Sequence, residues 1–158
     1  MDPMVKLIIN IAVIVILGLV GYKLATRPKV ARVDFNSVSQ ENLAPVEACR
    51  AKQTCVIAYV APWCGACHQF ISQLPLVKER LTAKDVGLVF VVGAEDDMQK
   101  KVDFVDRLKP LAVLDSSGDG FRRGHKIDFF PSFIITDGDG AVIADPRTGR
   151  TKLMEMMN

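Results

Sequence analysis

The stretch from Val56 to Leu81 constrains the fold more than any other part of the chain. It opens with an uncharged apolar run, 56–61, which is typical of a strand buried on both faces of a parallel sheet. Pro62 ends the run, and apolar residues then recur at helical spacing, at Phe70, Leu74, Val77 and Leu81. A strand that leads directly into a helix predicts an α/β fold, with Cys64-Gly65-Ala66-Cys67 at the junction.

The two cysteines at this junction occupy a position that activates thiols. The first turn of a helix presents unpaired N–H groups and the positive end of the helix dipole, and both stabilise a thiolate. The leading thiol of a Cys-X-X-Cys pair in such a site has a lowered pKa. We therefore predict that Cys64 attacks a substrate disulfide and that Cys67 resolves the mixed disulfide. The redox group is the Cys64–Cys67 pair itself, and no other cofactor is expected.

Two motifs, in this order, resemble those of the thioredoxin superfamily. Trp63-Cys64-Gly65-Ala66-Cys67 looks like its active-site motif, and Phe130-Pro131-Ser132, before a strand at 133–136, looks like its cis-proline loop. The resemblance covers about residues 33–145 and implies a thioredoxin-like fold, with a mixed central sheet flanked by helices. It also implies that Pro131 is cis and lies beside the sulfurs, and that Trp63 and Phe130 line an apolar substrate-binding surface.

The segment 93–128 is longer than its counterpart in a typical thioredoxin. It is similar to the helix-plus-strand insertion of membrane-anchored bacterial thioredoxin-like proteins, including those that serve cytochrome c maturation. This branch implies a protein-disulfide oxidoreductase that reduces extracytoplasmic proteins and draws electrons from a membrane partner. Ala58 stands where thioredoxins place a buried acid, Phe70 stands where the cytochrome-maturation branch has a glutamate, and the helix proline, Pro75, falls later than usual. The first two departures leave the proton acceptor for Cys67 unassigned, and the second weakens a specific cytochrome assignment.

The N-terminal region is strongly apolar. Residues 7–22 are apolar except for Asn10, and the run extends over 5–24 if Lys6 and Lys23 reach back to the lipid headgroups. Because about 20 apolar residues span a bilayer, we predict one N-terminal transmembrane helix in an anchor at 1–24. The alternative is a cleaved signal peptide, but its apolar core is usually about 7 to 15 residues long, and no Ala-X-Ala site follows the run. A basic linker at 25–32 and a thioredoxin-like domain at 33–158 complete the predicted organisation.

Charge and cysteine content predict opposite orientations in the membrane. The basic cluster after the apolar run outweighs the one before it, and the positive-inside rule would place the larger cluster in the cytoplasm. Four cysteines in one small domain are instead typical of an oxidising compartment. The family resemblance also implies the outer side. We therefore predict a single-pass protein of the bacterial inner membrane with its catalytic domain in the periplasm.

A second cysteine pair, Cys49 and Cys55, lies just before the first strand. We predict that it forms a structural disulfide. Two free, packed thiols are the alternative, because sequence separation alone does not bring two Cα atoms within about 7 Å.

The remaining pattern predicts further helices and strands. A helix is expected over 43–52, another with Met98, Val102, Val105 and Leu108 on one face, and a short terminal one over 151–158. Strands are expected at 33–35, 86–92, 111–115, 133–136 and 141–144, the last two joined by a hairpin turn at 137–140. Residues 115–120 resemble the start of a calcium loop, but Lys126 holds the twelfth position, where a glutamate is required, so we predict a solvated turn.

Other functions compete for the same residues. Cys64-Gly65-Ala66-Cys67-His68 is also a haem-attachment motif, with His68 as one axial ligand and Met98 or Met154 as the other. A zinc site built from all four cysteines is disfavoured by their spacing, and we predict no metal. A non-catalytic, membrane-tethered binding module would use the same apolar surface without turnover. The net charge of +2 and the motifs give no indication of nucleic-acid binding.

Overall fold

The computed structural model describes residues 12–18, 31–116 and 118–158. The chain divides into two compact units, Met1–Val30 and Ala31–Asn158. In the first unit, residues 12–18 form an exposed helix, α1. Across 12–18, 31–116 and 118–158, no helix has both the length and the apolar character needed to cross a membrane. The rest of the predicted anchor at 1–24, and most of the predicted linker at 25–32, lie outside the described residues.

The second unit is built around a five-stranded sheet of order β3-β2-β1-β4-β5. β1, β2 and β3 are parallel, whereas β4 runs antiparallel to both β1 and β5. This arrangement confirms the prediction of an α/β fold with a mixed sheet. The elements of the unit are α2 (Ala44–Arg50), β1 (Thr54–Val60), α3 (Gly65–Ser72), α4 (Leu74–Ala83), β2 (Val86–Val92), α5 (Met98–Leu108), β3 (Ala112–Leu114), α6 (Gly120–Gly124), β4 (Ser132–Asp137), β5 (Val142–Ala144) and α7 (Gly149–Met157).

The central strand β1 is buried on both faces, as its apolar composition predicts. Val56, Ala58 and Val60 belong to one hydrophobic cluster, which also contains residues of α4, α5 and α7. Ile57 and Tyr59 alternate with them into a second cluster, shared with α2 and α6. Helices therefore cover both faces of the sheet, and the carboxyl end of β1 emerges between the two layers.

The segment 31–39, which we call the strap, runs from one edge of the sheet to the other. Beside β5, the Val33 N–H donates to the Gly140 carbonyl oxygen at 3.1 Å. Beside β3, the Ser39 N–H donates to the Leu114 carbonyl oxygen at 2.7 Å. Since β3 and β5 are the two edge strands, the strap crosses the face of the sheet that carries the second cluster.

The strap contradicts the predicted edge strand at 33–35. Pairing there is confined to isolated bridges at Arg32 and Val38. Between them, the Asp34 side chain accepts a hydrogen bond from the Asn36 N–H at 2.8 Å, which turns the chain away from a strand path. The Phe35 ring packs on Phe121 instead, with centroids 5.5 Å apart. The prediction of a strand was wrong because a local turn competes with pairing.

The helical pattern that follows the Cys-X-X-Cys pair is divided between two helices, α3 and α4, which meet at Gln73. Pro75 lies in the first turn of α4 and has no N–H to donate to the preceding turn. The redox pair therefore sits on a short helix of eight residues rather than on one long helix. A second difference is α6, a helical turn of five residues in the stretch that we predicted to be a solvated turn.

Cys49 of α2 and Cys55 of β1 form a disulfide, with Cα atoms 5.2 Å apart. Both residues are buried, Cys49 at 2% exposure and Cys55 at 0%. The bond ties the helix on the second face of the sheet to the start of the central strand. It lies at the end of β1 opposite to Cys64 and Cys67.

We expect reduction of the Cys49–Cys55 disulfide to lower the free energy of unfolding by about 2 kcal/mol. The disulfide closes a short loop and so restricts the unfolded chain, and reduction removes this restriction. The measurement is urea unfolding of the Cys64→Ser/Cys67→Ser variant with and without reductant. Adding Cys49→Ser and Cys55→Ser to this background should remove the dependence on reductant. If reductant did not change the unfolding midpoint of Cys64→Ser/Cys67→Ser, the prediction would be contradicted.

Candidate active site

Cys64 caps the amino terminus of α3 at the point where β1 has ended. Its sulfur accepts a hydrogen bond from the Cys67 N–H at 3.1 Å, and its own N–H donates to the Ala61 carbonyl oxygen at 3.1 Å. The two sulfurs are joined in a disulfide, with Cα atoms 5.2 Å apart. Once the bond is reduced, the same N–H group and the helix dipole favour a thiolate at Cys64 over one at Cys67.

The two sulfurs differ in their access to solvent. Cys67 is fully buried, and Cys64 is 5% exposed. The residues next to them in the chain, Trp63, Gly65 and Ala66, are exposed. Cys64 is therefore the more accessible of the two cysteines.

The peptide bond between Phe130 and Pro131 is cis, and Phe130 packs against the hydrophobic cluster that contains both cysteines. The Ser132 hydroxyl closes the turn by donating to the Phe129 carbonyl oxygen at 2.6 Å. Pro131 and Phe130 share with Ala66 of α3 a groove of about 370 Å³. Other residues that line this groove come from α7 and include Leu153, Met154 and Met157.

Trp63 and Phe130 form an aromatic platform next to Cys64. Their rings meet edge to face, with centroids 5.4 Å apart. The Trp63 indole N–H donates to the carbonyl oxygen of Ala94, which lies just after β2. With 60% of Trp63 exposed, the platform offers solvent a large apolar surface whose orientation is held by a hydrogen bond.

No protein-family model matches this sequence, and no curated protein matches it. Solved structures do match at a TM-score of 0.50. StoA from Bacillus subtilis is 23% identical, over 68% of this chain and 84% of that chain. The reduced N-terminal domain of PilB from N. meningitidis is 19% identical, over 73% and 85% of the two chains. A candidate thiol:disulfide interchange protein, DsbE, from Chlorobium tepidum is 15% identical, over 69% and 83%. The chain has a thioredoxin-like fold.

Within this thioredoxin-like fold, the positions expected to hold an acid near Cys67 are apolar. Ala58 is fully buried in the same hydrophobic cluster as both active-site cysteines. Phe70 packs against that cluster, with its ring 5.0 Å from the Phe133 ring. Neither residue can take the proton of the Cys67 thiol.

A buried acid does occur in this thioredoxin-like fold, but on the opposite face of the sheet. Asp115 is fully buried and accepts a hydrogen bond from the Tyr59 hydroxyl at 2.9 Å. Its carboxylate also accepts from the backbone N–H groups of Phe121 at 2.9 Å and of Arg122 at 3.2 Å. Burial, together with this carboxylate, raises the pKa of Tyr59 far above its ordinary value, so the hydroxyl remains a donor.

This role of Asp115 was not predicted from the sequence, in which Asp115 is the last residue of a predicted strand and the first of a predicted turn. The sequence feature that could have indicated this role is an acidic residue directly at the end of an apolar strand. The Tyr59 ring also packs on Phe130, with centroids 5.8 Å apart. The hydrogen bond to Asp115 thus holds the Tyr59 ring against Phe130 of the aromatic platform.

His68 lies exposed on the first turn of α3. Its Nε2 atom is 2.7 Å from the Pro62 carbonyl oxygen, and its ring packs edge-on against Phe104 at 5.2 Å. Haem attachment would require thioethers on both Cys64 and Cys67, which here are bonded to each other. The haem alternative stays a prediction that these contacts do not test.

The four cysteines do not converge on one point. The Cys49–Cys55 and Cys64–Cys67 pairs lie at opposite ends of β1, a seven-residue strand about 20 Å long. A zinc ion needs its four ligands within about 2.3 Å, so the geometry excludes a shared zinc site. Over the part of the chain that the structure describes, no group of three or more His, Cys, Asp or Glu side chains is placed to hold a metal.

Proposed function

We propose that this protein is a membrane-anchored thiol-disulfide oxidoreductase that reduces disulfides of extracytoplasmic proteins. The observation that carries the proposal is the Cys64–Cys67 disulfide at the amino terminus of α3, with Cys67 fully buried, Cys64 5% exposed and the aromatic platform next to Cys64. Trp63, Phe130 and Pro131 bind the client protein, and Cys64 and Cys67 carry the chemistry.

The reaction is a pair of thiol-disulfide exchanges. In the reduced protein, the Cys64 thiolate attacks one sulfur of the client disulfide, and the other client sulfur leaves as a thiolate and takes up a proton. Cys67 then loses its proton and attacks the Cys64 sulfur, which releases the second client thiol and restores the Cys64–Cys67 disulfide. The client gains two electrons and two protons. A membrane electron donor reduces the protein again.

The anchor and location are proposed from sequence and cysteine chemistry. The apolar residues 5–24 would cross the lipid bilayer as a single helix, followed by a basic linker. All four cysteines are paired in disulfides, a state that persists in oxidising compartments. We place the protein in the bacterial inner membrane, with residues 33–158 facing the periplasm.

The equilibrium potential of the Cys64/Cys67 couple tests the direction of electron flow. For a reductase we expect a value near that of thioredoxin, about −270 mV. The measurement is the reduced fraction of the protein across a glutathione redox series, with Cys49→Ser/Cys55→Ser as the control that leaves one redox pair. A value near −120 mV would contradict a reductase and indicate an oxidase of folding proteins. The non-catalytic binding module stays an untested prediction, and no contact of the described residues favours it.

A further inference from the structure

A basic groove of about 520 Å³ lies on the α6 side of the redox site. Four basic side chains line it, from Arg122, Arg123, Lys126 and Arg147, against two acidic ones, from Asp119 and Asp128. Basic residues that converge on a concave surface concentrate the field more than the same charges spread over a convex one. The groove is therefore a site of positive potential at the edge of the molecule that carries Cys64.

Three of the four basic side chains in the groove form no ion pair among the described residues. Asp119 is already engaged, because one of its oxygens accepts from the Ala94 N–H at 3.0 Å and the other lies 3.4 Å from Arg122. Arg123, Lys126 and Arg147 are exposed. Among the described residues, none of these three forms an ion pair within 4.0 Å.

Arg122 links the groove to the aromatic platform. The Arg122 guanidinium lies over the Phe130 ring, 5.6 Å from its centroid, and Phe130 in turn packs on Trp63. Phe130 precedes Pro131 in the chain, and Trp63 precedes Cys64. A client segment whose cysteine bonds to Cys64 and which lies across Phe130 would therefore lead directly into the groove.

The opposite side of the platform does not have this bias. There Trp63 borders a second depression, lined by Glu95, Lys100, Asp103 and Arg107, in which two acidic residues balance two basic ones. The two depressions beside the platform therefore differ in their balance of charge. Of these two depressions, the one on the α6 side carries the excess of positive charge.

We propose that the client proteins carry an acidic segment next to their reactive disulfide, and that the basic groove binds this segment. The proposal deepens the proposed oxidoreductase function and rests on it. Long-range attraction by the groove raises the rate of encounter, and the acidic side chains set which way the client lies across the platform. The groove thus selects the client, while Cys64 and Cys67 perform the exchange.

The experiment compares reduction of two disulfide-bonded peptides that differ only in a flanking run of three residues, Asp in one and Lys in the other. We expect the parent protein to show a kcat/KM about 10-fold higher for the acidic peptide at 10 mM ionic strength, where screening reaches about 30 Å. The Arg123→Glu/Lys126→Glu variant should lose this preference. At 1 M salt the preference of the parent should fall below about 2-fold, because screening then acts within about 3 Å.

The matched control is Lys78→Glu/Lys84→Glu, which makes the same charge change on and just after α4. Lys78 lines a depression with Cys49, at the end of the sheet away from the redox site. This variant should keep the preference for the acidic peptide. Reduction of the uncharged 2-hydroxyethyl disulfide should be equal in the parent and in Lys78→Glu/Lys84→Glu, which shows that the exchange chemistry of the control is intact.

Equal kcat/KM values for the two peptides in the parent at low salt would overturn the proposal. So would an equal loss of preference in the Lys78→Glu/Lys84→Glu control. Either result would leave the oxidoreductase function standing if reduction of 2-hydroxyethyl disulfide still depends on Cys64. Failure of the parent to reduce the peptides and 2-hydroxyethyl disulfide would instead overturn the proposed function itself.

Discussion

Cys64→Ser is expected to slow reduction of insulin disulfides by about 1,000-fold or more. The serine hydroxyl is not ionised near neutral pH, so the variant has no nucleophile at the surface. Cys67 cannot replace it, because its side chain is fully buried. The measurement is the rate of insulin reduction with dithiothreitol as the electron source, corrected for the rate without protein.

Cys67→Ser should fail at the next step. The Cys64 thiolate still attacks, but nothing resolves the mixed disulfide, which should accumulate and be visible on a non-reducing gel. Cys49→Ser/Cys55→Ser is the control, since these residues lie at the far end of β1 and should leave exchange intact. Insulin reduction at the parent's rate by both single variants would remove the basis for an enzyme.

Asp115→Ala is expected to lower the free energy of unfolding by about 3 kcal/mol or more. The carboxylate accepts hydrogen bonds from the Tyr59 hydroxyl and from the N–H groups of Phe121 and Arg122, and alanine would leave these donors without it. Each buried donor left unpaired costs about 1 to 3 kcal/mol, because water cannot replace the lost acceptor. Urea unfolding followed by circular dichroism gives the value.

Two variants show whether burial is the cause. Asp106→Ala removes an acid from an exposed ion pair with Lys109, and it should change the free energy of unfolding by less than about 0.5 kcal/mol. Asp115→Asn keeps one acceptor oxygen, so its loss of unfolding free energy should lie between those of Asp106→Ala and Asp115→Ala. A loss below 1 kcal/mol for Asp115→Ala would mean that solvent reaches the site and that the network carries little of the stability.

Much of the sheet could be predicted because strands that are buried on both faces leave a simple apolar pattern. The predicted bounds of the strand at 86–92 agree with β2, and the other buried runs at 56–61, 111–115 and 133–136 each contain or overlap a strand. Such segments are apolar whatever their neighbours are, so local composition is enough. The order of the strands, with β1 in the centre, depends on long-range pairing that no local window contains.

The parts that were predicted poorly depend on competition between local and distant contacts. The strap has the apolar residues of a strand, but a turn at Asp34 and two separate sheet edges decide its path. The short helix α6 forms where Gly and Asp predict a turn, and Asp115 accepts two of its backbone N–H groups from outside the helix. A single residue pattern could not reveal that partner.

The candidate site shows the same division. Cys64, Cys67 and Pro131 belong to short motifs, and the structure brings these motifs to one edge of the molecule. Asp115 and Arg122 belong to no motif, since their roles come from burial and from contact with Tyr59 and Phe130. Residues that act through a neighbour become visible only once the neighbours are known.

The course of the strap has a bearing on how other polypeptides can be recognised. An uncovered outer strand invites a foreign segment to add itself to the sheet, which leads to non-specific association and aggregation. Here the chain's own backbone already occupies part of each border, through the bonds of Val33 to Gly140 and of Ser39 to Leu114. A client protein of the proposed kind would find part of each border occupied, and its selection would then depend on the loops that surround the sulfurs.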